Sequence, residues 1–134
     1  MHVATGAVGG VAAGSRLRAV VVGLVLHGIC DRTPHWDIAS RRFEIRSGAA
    51  LLSLLAATRG PLDPAVVGAA AAALPDLEHV VRLPRPGGRK LYPTHRVRHW
   101  HRSGGLSAEL QLATAGFLVG LLLGRRTRSG RALP

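Results

Sequence analysis

The sequence predicts an all-α fold: a compact bundle of four to five short helices, membrane-associated or membrane-embedded. Three observations carry that expectation. Several runs of alanine, valine, leucine and glycine stop at a proline or a glycine. The chain is 47% hydrophobic but only 4% aromatic, which favours close helix-to-helix packing over a bulky aromatic core. The strand-formers cluster at Val20, Val21, Val22 and Val25, and short alternating runs between turns are missing, which argues against an all-β fold. At 134 residues there is room for one domain. The expected organisation is a single helical domain over residues 1–124 and a basic, disordered tail over residues 125–134.

Residues 2–14 are small and apolar and suit a short helix, weakened by Gly6, Gly9, Gly10 and Gly14. The same glycines let another helix approach closely, as in membrane bundles. No basic segment precedes this run, so a signal peptide is a poor fit. Residues 17–30 form a strong apolar run, and a helix from Leu17 to Asp31 is expected to end at Thr33 and Pro34. That helix is only about 22 Å long at ~1.5 Å per residue, short of a ~30 Å hydrocarbon layer. A second run, residues 48–57, follows Arg41, Arg42 and Arg46 and breaks at Gly60 and Pro61. Asp63 can cap a third run over residues 65–74, with Pro64 at the first helical position. Residues 82–94 hold three prolines and two adjacent glycines and read as a loop. The last run, residues 106–124, approaches the ~20 residues of a membrane span, with Glu109 and Gln111 in its first part expected to face the protein interior. If it spans, the arginines after it place the tail on the cytoplasmic side of a cell inner membrane.

The formal net charge is +11, almost all of it from arginine, and such a surface attracts phosphate, acidic lipid headgroups or nucleic acid. Tyr92 and Trp100 could stack on bases, but the basic stretch is short and lacks a nucleic-acid module, which argues against nucleic acid. A single cysteine, Cys30, excludes an intramolecular disulfide and reads as a buried thiol. Gly87 and Gly88 lack the following lysine and hydroxyl residue of a phosphate loop, and no Ser-His-Asp order is present.

Histidines and carboxylates fall in three short clusters. The first holds His27, Asp31, His35 and Asp37; the second Asp76, Glu78 and His79; the third His95, His99 and His101. The first two end apolar runs. Imidazole and carboxylate bind divalent metals without thiolates. His27 and Asp31 are four apart, as are His95 and His99, and Asp76 and His79 are three apart, so each pair shares a helix face. An ordinary helix-end His–Asp pair, and an N-cap role for Asp76, are the plainer readings of the same spacings. Glu78 points away from Asp76 on a helix and suits a partner of a ligand or a general base.

The arrangement resembles the LexA-binding, inner-membrane-associated metal-dependent hydrolase-like family. The resemblance rests on His27, Asp31, Pro34, His35 and Asp37, on the 74–79 turn Leu-Pro-Asp-Leu-Glu-His, and on Thr94, His95, Arg96 and His99. It covers roughly residues 2–102, with His2 in the place of an early family histidine and Glu78 where the family turn carries a second aspartate. It implies metal-assisted hydrolysis and names no substrate.

The resulting expectation is a membrane-associated hydrolase of a phosphoester or lipid-like substrate. Its metal ligands are His27, Asp31, His35, Asp76, His79, His95 and His99, with Asp37 and Glu78 as catalytic groups. Zinc is the first candidate, and the ligand number leaves room for two ions. Membrane lipid and a phosphorylated or lipid substrate are the expected partners. Two alternatives stay open: a non-catalytic small membrane protein whose site is a structural metal or polar helix-packing glue, and an arginine-mediated binder of acidic lipid or nucleic acid.

Overall fold

The computed structural model describes all residues except 37, 39, 101 and 130–134, with side chains up to residue 124. Its helices are α1 (His2–Ala13), α2 (Arg16–Arg32), α3 (Arg41–Arg59), α4 (Pro64–Ala73), the single turn α5 (Leu77–Val80) and α6 (Ala108–Ser129). No strand occurs among the described residues, so the all-α bundle holds.

Local chemistry sets the helix ends. Gly14 turns α1 off at φ 70°, a conformation that glycine adopts without a side-chain penalty. Ser15 and Ser40 then cap α2 and α3, accepting from Arg18 N and Phe43 N. The cap at Ser40 starts α3 seven residues before the apolar run at 48–57, so Arg41, Arg42 and Arg46 lie exposed on its first two turns rather than in a flank. Asp63 caps α4, with its carboxylate 2.8 Å from Ala65 N and Pro64 in the first turn, as the sequence predicts.

Helices α1, α2 and α4 pack against one another with backbone nearly touching backbone. A Cβ on Gly6 would lie 2.5 Å from Gly68 O, and one on Gly10 would lie 2.0 Å from Pro64 O. A Cβ on Gly23 of α2 would likewise meet Gly68 O at 2.5 Å. Only glycine permits that spacing. The pairing of Gly6 with Ala72 and of Gly10 with Pro64 makes α1 antiparallel to α4. Gly9 against Leu26 and Val22, and Thr5 against Cys30, make α1 antiparallel to α2 as well. The start of α1 and the ends of α2 and α4 therefore share one end of the bundle. Leu55 of α3, Ala65, Val66 and Ala69 of α4, Ala7 of α1 and Leu122 of α6 form the core.

Helix α6 begins two residues after the predicted start and runs to Ser129, taking in the first arginines beyond residue 124. The predicted membrane span is not supported: among the described residues no helix is long and apolar enough to cross a membrane. The argument that placed the tail on the cytoplasmic side depended on that span. Gln111 does turn inward, donating from Nε2 to Trp36 O at 2.8 Å, but Glu109 is exposed. Gln111 thus ties α6 to the segment after α2, which also pairs through Trp36 N to Leu106 O at 2.9 Å.

Candidate metal centre

Proline shapes the end of α4. Pro75 converts its last residues into a 3-10 turn over Leu74–Asp76, and α5 starts at once. Asp76 makes no capping hydrogen bond to α5, so the N-cap role does not apply. The carboxylate groups with imidazoles instead. His27 and Asp31 occupy the last two turns of α2, before Thr33 and Pro34 end it. His95 sits in a 3-10 turn over Thr94–Arg96 that Pro93 precedes, and the loop before it is pinned to Glu78 through Leu91 N at 2.7 Å.

These elements bring together His2, His27, Asp31, Asp76, His79 and His95. Their ligand atoms form three overlapping groups, each with all atoms within 4.8 Å: His2 with His27 and Asp76, His27 with Asp31 and His95, and Asp76 with His79 and His95. In the middle group, His27 Nε2 is 3.1 Å from Asp31 Oδ2 and 3.3 Å from His95 Nε2, and His95 Nε2 is 3.6 Å from Asp31 Oδ2. Ligands held ~2.0–2.1 Å from a tetrahedral zinc sit about 3.3–3.4 Å from one another. The triangle brackets that value.

The outer nitrogens of these rings decide which way the lone pairs point. His27 Nδ1 lies 2.9 Å from Ala72 O, which can only accept, so Nδ1 carries the proton and Nε2 of the neutral ring faces the group. His95 Nδ1 contacts Glu78 Oε1, so it too donates outward and leaves Nε2 to face His27. A carboxylate or backbone carbonyl behind each ligand imidazole is the usual arrangement around a bound metal. Two facing lone pairs 3.3 Å apart need a shared proton or a cation between them. His2 Nδ1 is buried with no hydrogen-bond partner, a further polar atom that a cation could satisfy.

The electrostatics agree. Burial holds the His2 pKa down, to about 3, with His27 and the chain terminus adding to the effect against Asp31. Burial also opposes charge at His27, yet the hydrogen bond and charge of Asp31 outweigh it and keep its pKa above the ordinary value. Asp31 is buried too, but His27, His2 and His95 around it hold its carboxyl below the usual range. Burial and the neighbouring Asp31 push Asp76 up, against His27 and His95. Glu78 is also buried, but its bonds to His95 and Leu91 N keep it ionised below the usual range. Burial and Lys90 push His79 down. His27, Asp31 and Glu78 are 1%, 6% and 3% exposed, and buried charge of this density needs specific partners.

Of the predicted ligands, His35 and His99 lie outside the three groups. His35 is turned to its own backbone, Nδ1 2.7 Å from Thr33 O, and its main chain bridges to Ser103 and Leu106. His99 belongs to an exposed turn with φ 61°. Asp37, the predicted base, and His101 lie outside the described residues. Both oxygens of Glu78 are engaged, on His95 and Leu91 N, which makes it a positioning residue rather than a free base. Cys30 is buried against Thr5, at 3.6 Å, and joins no group, in keeping with a structural thiol. The ligand that residue-by-residue reading passed over is His2, whose only sequence signal was the resemblance. No family model matches the chain, and no curated protein or solved structure matches it either.

Proposed function

We propose that the chain is a metal-dependent hydrolase acting on a phosphoester or lipid-like substrate at a membrane surface, similar to the LexA-binding group its motifs resemble. The observation that carries the reading is the triangle of His27 Nε2, His95 Nε2 and Asp31 Oδ2, each imidazole turned inward by an acceptor behind it. Zinc fits this mixed nitrogen and oxygen set. Bound there, it would supply a hydroxide near neutral pH and polarise a phosphoryl or carbonyl oxygen. Asp76 belongs to two ligand groups, one with His2 and one with His79, which is where a carboxylate shared by two ions would sit. The three groups together draw on six residues, more than a closed four-ligand shell would use. Association with a membrane surface rests on the exposed apolar face of α2 and on the net charge of +11.

The test is metal quantification and turnover of a chromogenic phosphodiester, bis(p-nitrophenyl) phosphate. Asp31→Asn keeps the side-chain size and removes the central charge. Purified protein should carry at least one equivalent of divalent metal. The variant should lose most of it and lose hydrolysis, while circular dichroism stays helical. Unfolding of the variant together with metal loss would favour a structural metal. Wild-type protein that binds no zinc when offered it overturns the reading.

A further inference from the structure

We propose that a second site, beside the last turn of α2, binds a phosphorylated lipid: its phosphate among Arg32, Arg98 and Arg102, its hydrocarbon chain along the outer face of α2. The inference deepens the hydrolase reading by naming its substrate class, and it rests on that reading only for the link to turnover. The binding site itself stands on separate residues.

An open surface groove of about 760 Å³ follows the metal-type residues in sequence, with Arg32, Arg98, Arg102, His99, Trp100 and Ser103 on its walls. Among the described residues, none that lines it is acidic. Arg32 follows Asp31 directly, and the wall from Val97 onward begins two residues after His95. Arg32 is held by its surroundings. Arg32 lies over the Trp100 ring, 5.6 Å from its centroid, and Trp100 Nε1 donates to Gly28 O at 3.1 Å. His99, between Arg98 and Trp100, is the one non-glycine residue with positive φ among the described residues. Such strain persists where surrounding contacts demand it and is common at ligand clamps. Three arginines along one groove favour phosphate, which guanidiniums bind in forked pairs.

The groove does not end in water. Arg32 and Trp100 also wall a second cavity of about 330 Å³, whose other sides are Gly28, Ile29 and Thr33. Ile29 continues a stripe at four-residue spacing, Leu17, Val21, Val25 and Ile29, each more than half exposed. At ~1.5 Å per residue the stripe is about 18 Å long. A basic pocket joined to an apolar slot and an unpartnered apolar helix face fits a phosphate headgroup carrying an alkyl chain. A nucleic acid would leave the stripe unused and would need a track of charge instead. A second copy of this chain, or its own basic tail, would bring more arginines against these three, at a net charge already of +11.

The experiment titrates the full chain, in chelator, with octyl phosphate below its micelle concentration, with inorganic phosphate, and with an oligonucleotide. Octyl phosphate should bind at least tenfold more tightly than inorganic phosphate. Between hexyl and octyl phosphate, affinity should rise by up to about fourfold per methylene. The exposed double variant Arg98→Gln, Arg102→Gln should lower octyl phosphate affinity at least tenfold, and Ile29→Ser should flatten the chain-length dependence. Because the titrations are run in chelator they do not depend on a bound metal, so failure of the metal reading would not be mistaken for failure of this one. Equal affinity for octyl and inorganic phosphate overturns the proposal. So does an unaffected double variant, or an oligonucleotide that outcompetes octyl phosphate.

Discussion

Replacing Gly68 by alanine should destabilise the protein even though alanine is the better helix former. In an unconstrained helix interior the change gains about 1 kcal/mol. Here the new Cβ would sit 2.4 Å from Gly6 O and 2.8 Å from Gly10 Cα. Both are about 1 Å inside ordinary contact distance. Both are backbone atoms of α1, so no rotamer change relieves them and the helix itself has to move. Overpacking costs typically about 1–3 kcal/mol, and a rigid obstacle belongs at the upper end. The net loss is then about 2 kcal/mol, or a fall in Tm of roughly 5–10 °C for a domain of this size. Gly116 of α6 is the internal control, because a Cβ there would meet nothing within 4 Å. Gly116→Ala should raise stability by up to about 1 kcal/mol. Urea and thermal unfolding of both variants give the answer. The two substitutions stabilising the protein alike would refute the close-packing argument. A second readout follows from position: His2 rides on the first turn of α1, 3.5 Å from Asp31, so Gly68→Ala should also weaken zinc binding.

Glu78→Gln should lower zinc affinity about 10–100-fold while the helices persist, because the amide cannot accept from both His95 and Leu91 N; calorimetric zinc titration would show it, and unchanged affinity would dismiss Glu78 as a positioning residue. The metal-free protein should lose stability as pH falls from about 6.5 toward 3. In that window the unfolded chain protonates His2 while the folded one, with its pKa near 3, does not, a difference of at most about 5 kcal/mol. The raised pKa of His27 acts oppositely, contributing below its ordinary value and fading as pH rises. His2→Ala should therefore flatten the acid-side loss in urea titrations run with chelator, and parallel pH profiles for the two proteins would contradict the burial of His2.

The caps and breakers were legible because their chemistry is local. Asp63 with Pro64, Gly14, and the stop at Thr33 and Pro34 each act within one turn. The spacing of His27 and Asp31 likewise needs only a helix. What could not be read is what depends on tertiary placement. His35 shares its sequence neighbourhood with Asp31 but lies past Pro34, where the chain pairs with Ser103 and Leu106 instead of continuing the helix. His99 is four residues from His95, yet only the turn at 94–96 is helical, so that spacing no longer puts the two on one face. A helix turns Glu78 away from Asp76, and the same geometry aims it at His95, a residue 17 positions later that no local spacing connects to it. The length and composition of residues 106–124 suggest a span, but the inward Gln111 and the exposed Glu109 suit a helix packed on one side.

Small residues and metal-type ligands are connected by the same geometry. Glycines at positions 6, 10, 23 and 68 bring three helix axes closer than side chains allow. Backbone-to-backbone packing leaves little freedom to slide, so the ends of the helices are fixed relative to one another. At the shared end stand His2, His27, Asp31 and Asp76, drawn from α1, α2 and the proline-bent turn after α4. Side chains longer than alanine along these faces would spread the helices apart and carry the ligands with them. A site holding atoms within 4.8 Å of one another cannot absorb such a shift. The lack of bulky aromatic side chains is therefore more than a compositional habit of the chain. It is a condition for the imidazoles to meet, and it leaves the apolar surface that a larger core would have buried, including the α2 stripe, facing outward.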